Sequence, residues 1–167
     1  EKRFFLTEPE SYTILEAYGF PIANARFCTG IQEVMKATSH LQFPLVAKIV
    51  SPDVEHKFDI GGVVTDIKNA KQLNKAYHKI MDKAISIRPH LEIKGVLIQE
   101  MVQEGVEIII GANYDAHYGH LIMFGLGGTF VEVLKDVSFR RAPVSKHDAK
   151  VMIKEIKAFS ILKGFRG

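Results

Sequence analysis

The segment Leu45-Val46-Ala47-Lys48-Ile49-Val50 is an apolar run of strand length with one lysine inside it. A polar loop ending in two glycines follows, Ser51-Pro52-Asp53-Val54-Glu55-His56-Lys57-Phe58-Asp59-Ile60-Gly61-Gly62, and Val63–Ile67 returns as strand. Upstream, Thr7-Glu8-Pro9-Glu10 opens a helix: Thr7 caps it, Glu10 completes a capping box and Pro9 falls in the first turn. Ile14, Leu15 and Tyr18 give this helix an apolar side, and Gly19 ends it. Ala25–Cys28 reads as a short strand, and a second helix runs from Thr29 or Gly30 to about Thr38. Downstream, Asn69 caps a helix from Ala70 to Ile87, with Leu73, Ala76, Tyr77, Ile80 and Ala84 at helical spacing and Arg88-Pro89-His90 as its breaker.

Beyond that breaker, Ile93–Val102 and Glu107–Asn113 read as strands joined by a turn at Gln103-Glu104-Gly105. Leu121–Phe124 and Phe130–Leu134 read as further strands on either side of a tight loop at Gly125-Leu126-Gly127-Gly128, and Lys146–Leu162 as a closing helix. The order predicts an α+β fold of two small lobes, residues 1–92 with the histidine loop 51–62, and residues 93–167.

The 167 residues are 47% hydrophobic and 25% charged with mean hydropathy +0.04, which excludes disordered, collagen-like and low-complexity chains. Lys and Arg number 22 against 19 Asp and Glu; the resulting +3 is spread along the chain and gives little reason to expect a nucleic-acid partner. Cys28 is the single cysteine, so no intrachain disulfide and no cysteine-built zinc site can form, and a reducing compartment is expected. No apolar run approaches the ~20 residues of a membrane helix, and the first six residues lack the apolar region of a secretory signal. A cytoplasmic protein without a membrane partner is expected. The start at Glu1 and the abrupt stop at Gly167 lead us to expect a fragment.

Neither glycine cluster matches a P-loop or a dinucleotide fingerprint. Lys48 is costly to bury unless paired; it is either a point charge aimed at phosphate oxygens or a lysine on an edge strand reaching for water, and the residues leave both open. His56, among Asp53, Glu55, Lys57 and Asp59 and close to Gly61 and Gly62, is either a nucleophile for a phosphoryl group or an ordinary loop histidine. Glu100, at the end of a strand, has the chemistry to accept from an exocyclic amine, and Glu107 to accept from ribose hydroxyls or help with a metal-bound phosphate; on the residues alone a solvent-facing strand position is the favoured reading of both. His117 and His120 have no third partner to complete a metal site.

In order along the chain, the stretches 44–63, 95–102, 105–107, 123–136, 140–143 and 162–167 resemble the ATP-grasp domain of the ADP-forming acyl-CoA synthetases, in the pattern of their acetate–CoA ligase β subunits. The resemblance implies a two-lobed clamp that binds ATP or ADP with Mg²⁺. By it, Lys48 binds phosphates, Glu100 with the backbone of Met101 and Val102 holds adenine, Glu107 contacts the nucleotide, and Gly61 and Gly62 are candidates for a phosphate loop. His56 would carry phosphate during the reversible reaction of acyl-CoA, ADP and phosphate to acid, CoA and ATP. A CoA-binding α subunit in an α2β2 heterotetramer is the implied partner. The family's metal motif, of Asp-x-Asn-Pro type, does not occur here, so the metal ligands are expected downstream of Gly167. Two alternatives are a regulatory ATP-grasp module of a protein acetyltransferase fusion, which the presence of His56 disfavours, and a non-catalytic binding module.

Overall fold

The computed structural model describes residues 5–102, 105–128 and 136–164. The chain divides into two compact units, Glu1–Gln103 and Glu104–Gly167. The element order of the first is α1 (Glu8–Ala17), β1 (Ala25–Cys28), α2 (Ile31–Ala37), β2 (Leu45–Val50), β3 (Val63–Ile67), α3 (Ala70–Ile87) and β4 (Gly95–Glu100). Its sheet has the order β1-β4-β2-β3 with every neighbouring pair antiparallel. β4 therefore lies inside this sheet, and the division falls after residue 103, about ten residues later than the 92/93 boundary read from the Arg88-Pro89-His90 breaker.

Alternation along β2 gives the sheet two different faces. Leu45, Ala47 and Ile49 join Val96 and Ile98 of β4 in a core with Val34 and Ala37 of α2 and Leu73, Ala76, Ile80 and Ala84 of α3. The spacing of the α3 residues is the helical stripe seen in the sequence, and Asn69 caps that helix by accepting from the Gln72 N–H at 2.9 Å. Val46 and Lys48 alternate with the core residues, so Lys48 stands on the opposite face of an interior strand, between Leu97 of β4 and Val63 of β3.

α1 departs from its expected docking. The capping box forms, with the Thr7 N–H donating to Glu10 Oε2 at 2.7 Å, but Ile14, Leu15 and Tyr18 remain exposed and no α1 residue is buried. Polar contacts of Glu8 and Tyr12 hold the helix instead.

In the second unit β5 (Ile108–Asp115), β6 (Gly119–Leu126) and β7 (Val137–Arg141) form an antiparallel sheet in that order. β7 is an element the sequence reading did not place, and the expected strand Phe130–Leu134 lies outside the described residues. Phe124 and Leu126 pack with Met152 and Ile156. The expected helix 146–162 is two: α4 (Lys146–Glu155) and α5 (Phe159–Leu162). Asp136 separates them, its two carboxylate oxygens accepting from the Lys157 and Ala158 N–H groups at 2.8 and 2.7 Å.

Replacing Ile80 by Ala opens a cavity in the first unit's core and should cost about 2–5 kcal/mol of unfolding free energy. Ile85 on the same helix is 52% exposed, and Ile85→Ala should cost under about 1 kcal/mol. Denaturant unfolding of the two variants measures the difference, and equal losses would contradict the assigned face.

Candidate functional site

The face of β2 opposite the core opens into a cleft of about 470 Å³, lined by Val46 and Lys48 of β2, Val63 and Thr65 of β3, Glu8 of α1 and the loop residues 55–59. Lys48 and His56, read separately from the sequence, thus line one concavity. The loop reaches it because its ends are pinned. Ser51, Val54 and Ile60 are buried, while Glu55, His56, Phe58 and Asp59 are exposed and Lys57 is half-buried. At its base the Asp53 carboxylate accepts from the Glu92 N–H at 2.9 Å, and Arg88 donates to the Asp53 carbonyl at 3.2 Å.

Four side chains close a ring of hydrogen bonds at the floor of the cleft. Lys48 Nζ donates to Glu8 Oε1 at 2.5 Å and to Gln99 Oε1 at 2.7 Å. Gln99 Nε2 donates to the Tyr12 hydroxyl at 3.1 Å, and that hydroxyl donates to Glu8 Oε1 at 2.7 Å. The other oxygen of Glu8 accepts from Lys57 Nζ at 2.9 Å. A carboxylate with 18% of its side chain exposed therefore bridges two ammonium groups, themselves 21% and 22% exposed. Burial alone would raise the Glu8 pKa, but hydrogen bonds from Lys48, Lys57 and Tyr12 outweigh it and bring the carboxyl down to about 2. Burial, together with the adjacent Glu8 carboxylate, pushes the Tyr12 phenol up.

The ring settles what Lys48 is: an interior-strand cation matched by two partners, not a lysine on an edge strand reaching for water. His56 differs, since its ring makes no hydrogen bond to any described residue and is exposed in the cleft with Phe58 beside it. Gly61 and Gly62 shape the loop. Gly61 adopts φ +64°, and a Cβ on Gly62 would collide with the Ile49 side chain. Their N–H groups donate to the Phe58 and Lys57 carbonyls at 2.9 and 2.7 Å, so both are committed within the loop.

Glu100 ends β4 with both oxygens engaged, Oε2 by the Asn24 amide at 2.9 Å and Oε1 by the Gln42 N–H at 2.8 Å. The Met101 N–H donates to the Pro44 carbonyl at 2.9 Å, and the Met101 and Val102 side chains are exposed. Glu107 belongs to the second unit. Its carbonyl accepts from the Gly127 N–H at 2.7 Å, and its carboxylate lies where a Cβ on Gly128 would be.

Glu8, Tyr12 and Gln99 escaped the sequence reading because nothing local marks them: Glu8 reads as a first-turn acid suited to a helix N-terminus. Lys57 stood out only as a neighbour of His56. Among the described residues no group of three His, Cys, Asp or Glu side chains is placed to hold a metal ion, so these residues do not by themselves form a magnesium site. No described helix is long and apolar enough to cross a membrane.

The profile of the ATP-grasp domain family matches residues 1–167. The chain is 46% identical over 162 residues to the β subunit of the ADP-forming acetate–CoA ligase I of Pyrococcus furiosus, a match covering 97% of this chain and 70% of that one. It superposes with TM-score 0.92 on the acetyl-coenzyme A synthetase 1 of Ca. Korarchaeum cryptofilum in complex with coenzyme A and Ca-AMPCP, at 45% identity over 97% of this chain and 71% of that chain. A second structure of that enzyme, with coenzyme A, Mg-AMPPCP and a phosphohistidine segment pointing towards the nucleotide-binding site, gives TM-score 0.81 and 41% identity over 99% and 70% of the two chains.

The low pKa of Glu8 makes a signed prediction. A carboxyl near 2 in the folded chain and near 4.5 unfolded stabilises the fold above about pH 4.5, by at most ~3 kcal/mol, and that contribution is lost as the pH falls toward 2. Glu8→Gln should therefore be less stable than the wild type at pH 7, with the gap shrinking below about pH 4.5 and the two converging only as the pH approaches 2. Unfolding midpoints measured across that range test it, and a constant gap would contradict the network.

Proposed function

The chain belongs to the ATP-grasp family, in the branch of the ADP-forming acetate–CoA ligase β subunits, and from that premise we propose that it is the nucleotide-binding part of an ADP-forming acyl-CoA synthetase and that His56 carries its phosphoryl group. The observation that supports this most is the cleft in which a lysine pair and an unbonded histidine face the same space. An ammonium has three donors. Lys48 gives two to Glu8 and Gln99 and keeps one; Lys57 gives one to Glu8. The remaining donors and the two positive charges suit phosphate oxygens, whose charge must be offset while the phosphoryl group moves.

In the direction of ATP cleavage, an imidazole nitrogen of His56 bearing a lone pair attacks the γ-phosphorus. The bond to the ADP oxygen breaks, ADP leaves, and the other ring nitrogen keeps its proton. In the direction of ATP synthesis the N–P bond breaks onto ADP. His56 receives its phosphate from a phosphohistidine on the CoA-binding α subunit, the N–P bond of the partner breaking as that of His56 forms. The bonding capacity left on Glu100 and the backbone of Val102 are assigned to adenine and Glu107 to the nucleotide's sugar or phosphates, while Gly61 and Gly62 hold the loop in shape.

The nucleotide enters with Mg²⁺, which supplies further charge neutralisation; its protein ligands are assigned to residues outside those described, and none of the steps above is routed through it. An α2β2 assembly in the cytoplasm completes the reading. The regulatory-module alternative gains nothing from a cleft that retains His56.

The test is transfer of label from γ-labelled Mg·ATP to the full-length protein, alone and with the α subunit. Wild-type chain should acquire a phosphate that is stable to base and labile to acid. His56→Ala should acquire none, and Lys48→Ala should do so roughly a hundredfold more slowly. Label on the His56→Ala chain would place the acceptor elsewhere and overturn the assignment.

A further inference from the structure

The two lysines that face the cleft already hold an anion, and that anion comes from the chain itself. Glu8 presents two oxygens on one carbon, one to Lys48 and one to Lys57, much as a phosphate presents two oxygens on one phosphorus. We propose that Glu8 is an internal stand-in for a nucleotide phosphate: it bridges Lys48 and Lys57 while the cleft is empty, yields them to an arriving phosphate, and so sets how tightly nucleotide is held and how readily it leaves. The inference rests on the reading of the cleft as a phosphate site.

Three features support displacement over permanent bracing. The first is the way α1 is attached: it buries no residue of its own, and open clefts lie between it and β1, β2 and the loop at Ser51–Val54. Its hold on the sheet runs through Glu8 and the Tyr12–Gln99 hydrogen bond, both polar and exchangeable. Second, Lys48 does not need Glu8 to stay in place, because Gln99 Oε1 accepts from the same ammonium at 2.7 Å. A phosphate would therefore find Lys48 still positioned after Glu8 had moved. Third, a carboxylate and a phosphate on the same half-buried ammonium repel one another, so sharing is the expensive arrangement. Without Glu8, the empty cleft would leave two half-buried cations with less compensation, which is costly in its own right. A stand-in anion removes that cost between turnovers and lowers the net gain on binding, which suits a site that must release ATP or ADP in either direction.

The measurement is the dissociation constant and off-rate of Mg·ADP on the full-length protein, by calorimetry and stopped flow, for wild type, Glu8→Gln, Tyr12→Phe and Lys48→Ala. Glu8→Gln should bind about three- to tenfold more tightly, with the gain in a slower off-rate, although its fold is less stable. Tyr12→Phe, which removes a hydrogen bond to Glu8, should shift the same way by a smaller factor. Unchanged or weaker binding by Glu8→Gln would make Glu8 a structural brace and overturn the inference. Should Glu8→Gln not fold, Tyr12→Phe decides alone: tighter binding supports the stand-in, and unchanged or weaker binding rejects it. Lys48→Ala separates the two levels. If it binds Mg·ADP as well as wild type, the phosphate reading of the cleft fails and the inference falls with it; if it loses binding while Glu8→Gln does not tighten, only the role of Glu8 is wrong.

Discussion

A lysine in the middle of an interior strand must be matched by other groups, and the arrangement of the first unit around Lys48 follows from that constraint. β2 lies between β4 and β3, so its lysine has no edge from which to reach open water. Alternation places the ammonium on the face away from the packed core, and two partners meet it there: Gln99 from the neighbouring strand and Glu8 from a helix at the start of the chain. α1 buries no apolar residue and is held to the sheet by this polar contact. Lys57 shares the same carboxylate, which draws the histidine loop toward the cleft floor. One unavoidable charge thus positions a helix, a loop and the mouth of the site.

On the function proposed above, the anchoring network and the phosphate site share two side chains, Lys48 and Lys57. On that reading, cations positioned by strand and loop face the space that His56 faces, and only Glu8 has to move to free their charge for a transferring phosphoryl group. The second unit contributes separately: Glu107 lies over Gly127 and Gly128, a close approach that only a residue without a side chain at 128 allows.

Much of this was legible in the sequence where the determinants are local. The capping box at Thr7 and Glu10, the Asn69 cap, the stripe Leu73, Ala76, Ile80 and Ala84, and strands β1 and β2 all follow from neighbouring residues. What failed depends on contacts distant in sequence. β4 enters between β1 and β2, which no periodicity reports, and this moved the boundary between units. Asp136 interrupts the final helix from about twenty residues upstream. Ile14, Leu15 and Tyr18 give α1 an apolar side that the structure leaves exposed, because the helix answers to Lys48, forty residues away. Lys48 and His56 were visible as anomalies of composition, whereas Glu8 looked like any acid in a first helical turn. The family resemblance connected the first two; only the structure connects the third.

The central claim is that the lysine pair now bridged by Glu8 is the seat of the nucleotide's phosphates. A crystal structure of the full-length protein with a non-hydrolysable Mg·ATP analogue tests it most directly. The account predicts phosphate oxygens within hydrogen-bond distance of Lys48 and Lys57, the His56 ring facing the terminal phosphorus, and the Glu8 carboxylate moved off both ammonium groups. Phosphates bound elsewhere, with Glu8 still bridging the two lysines, would contradict it.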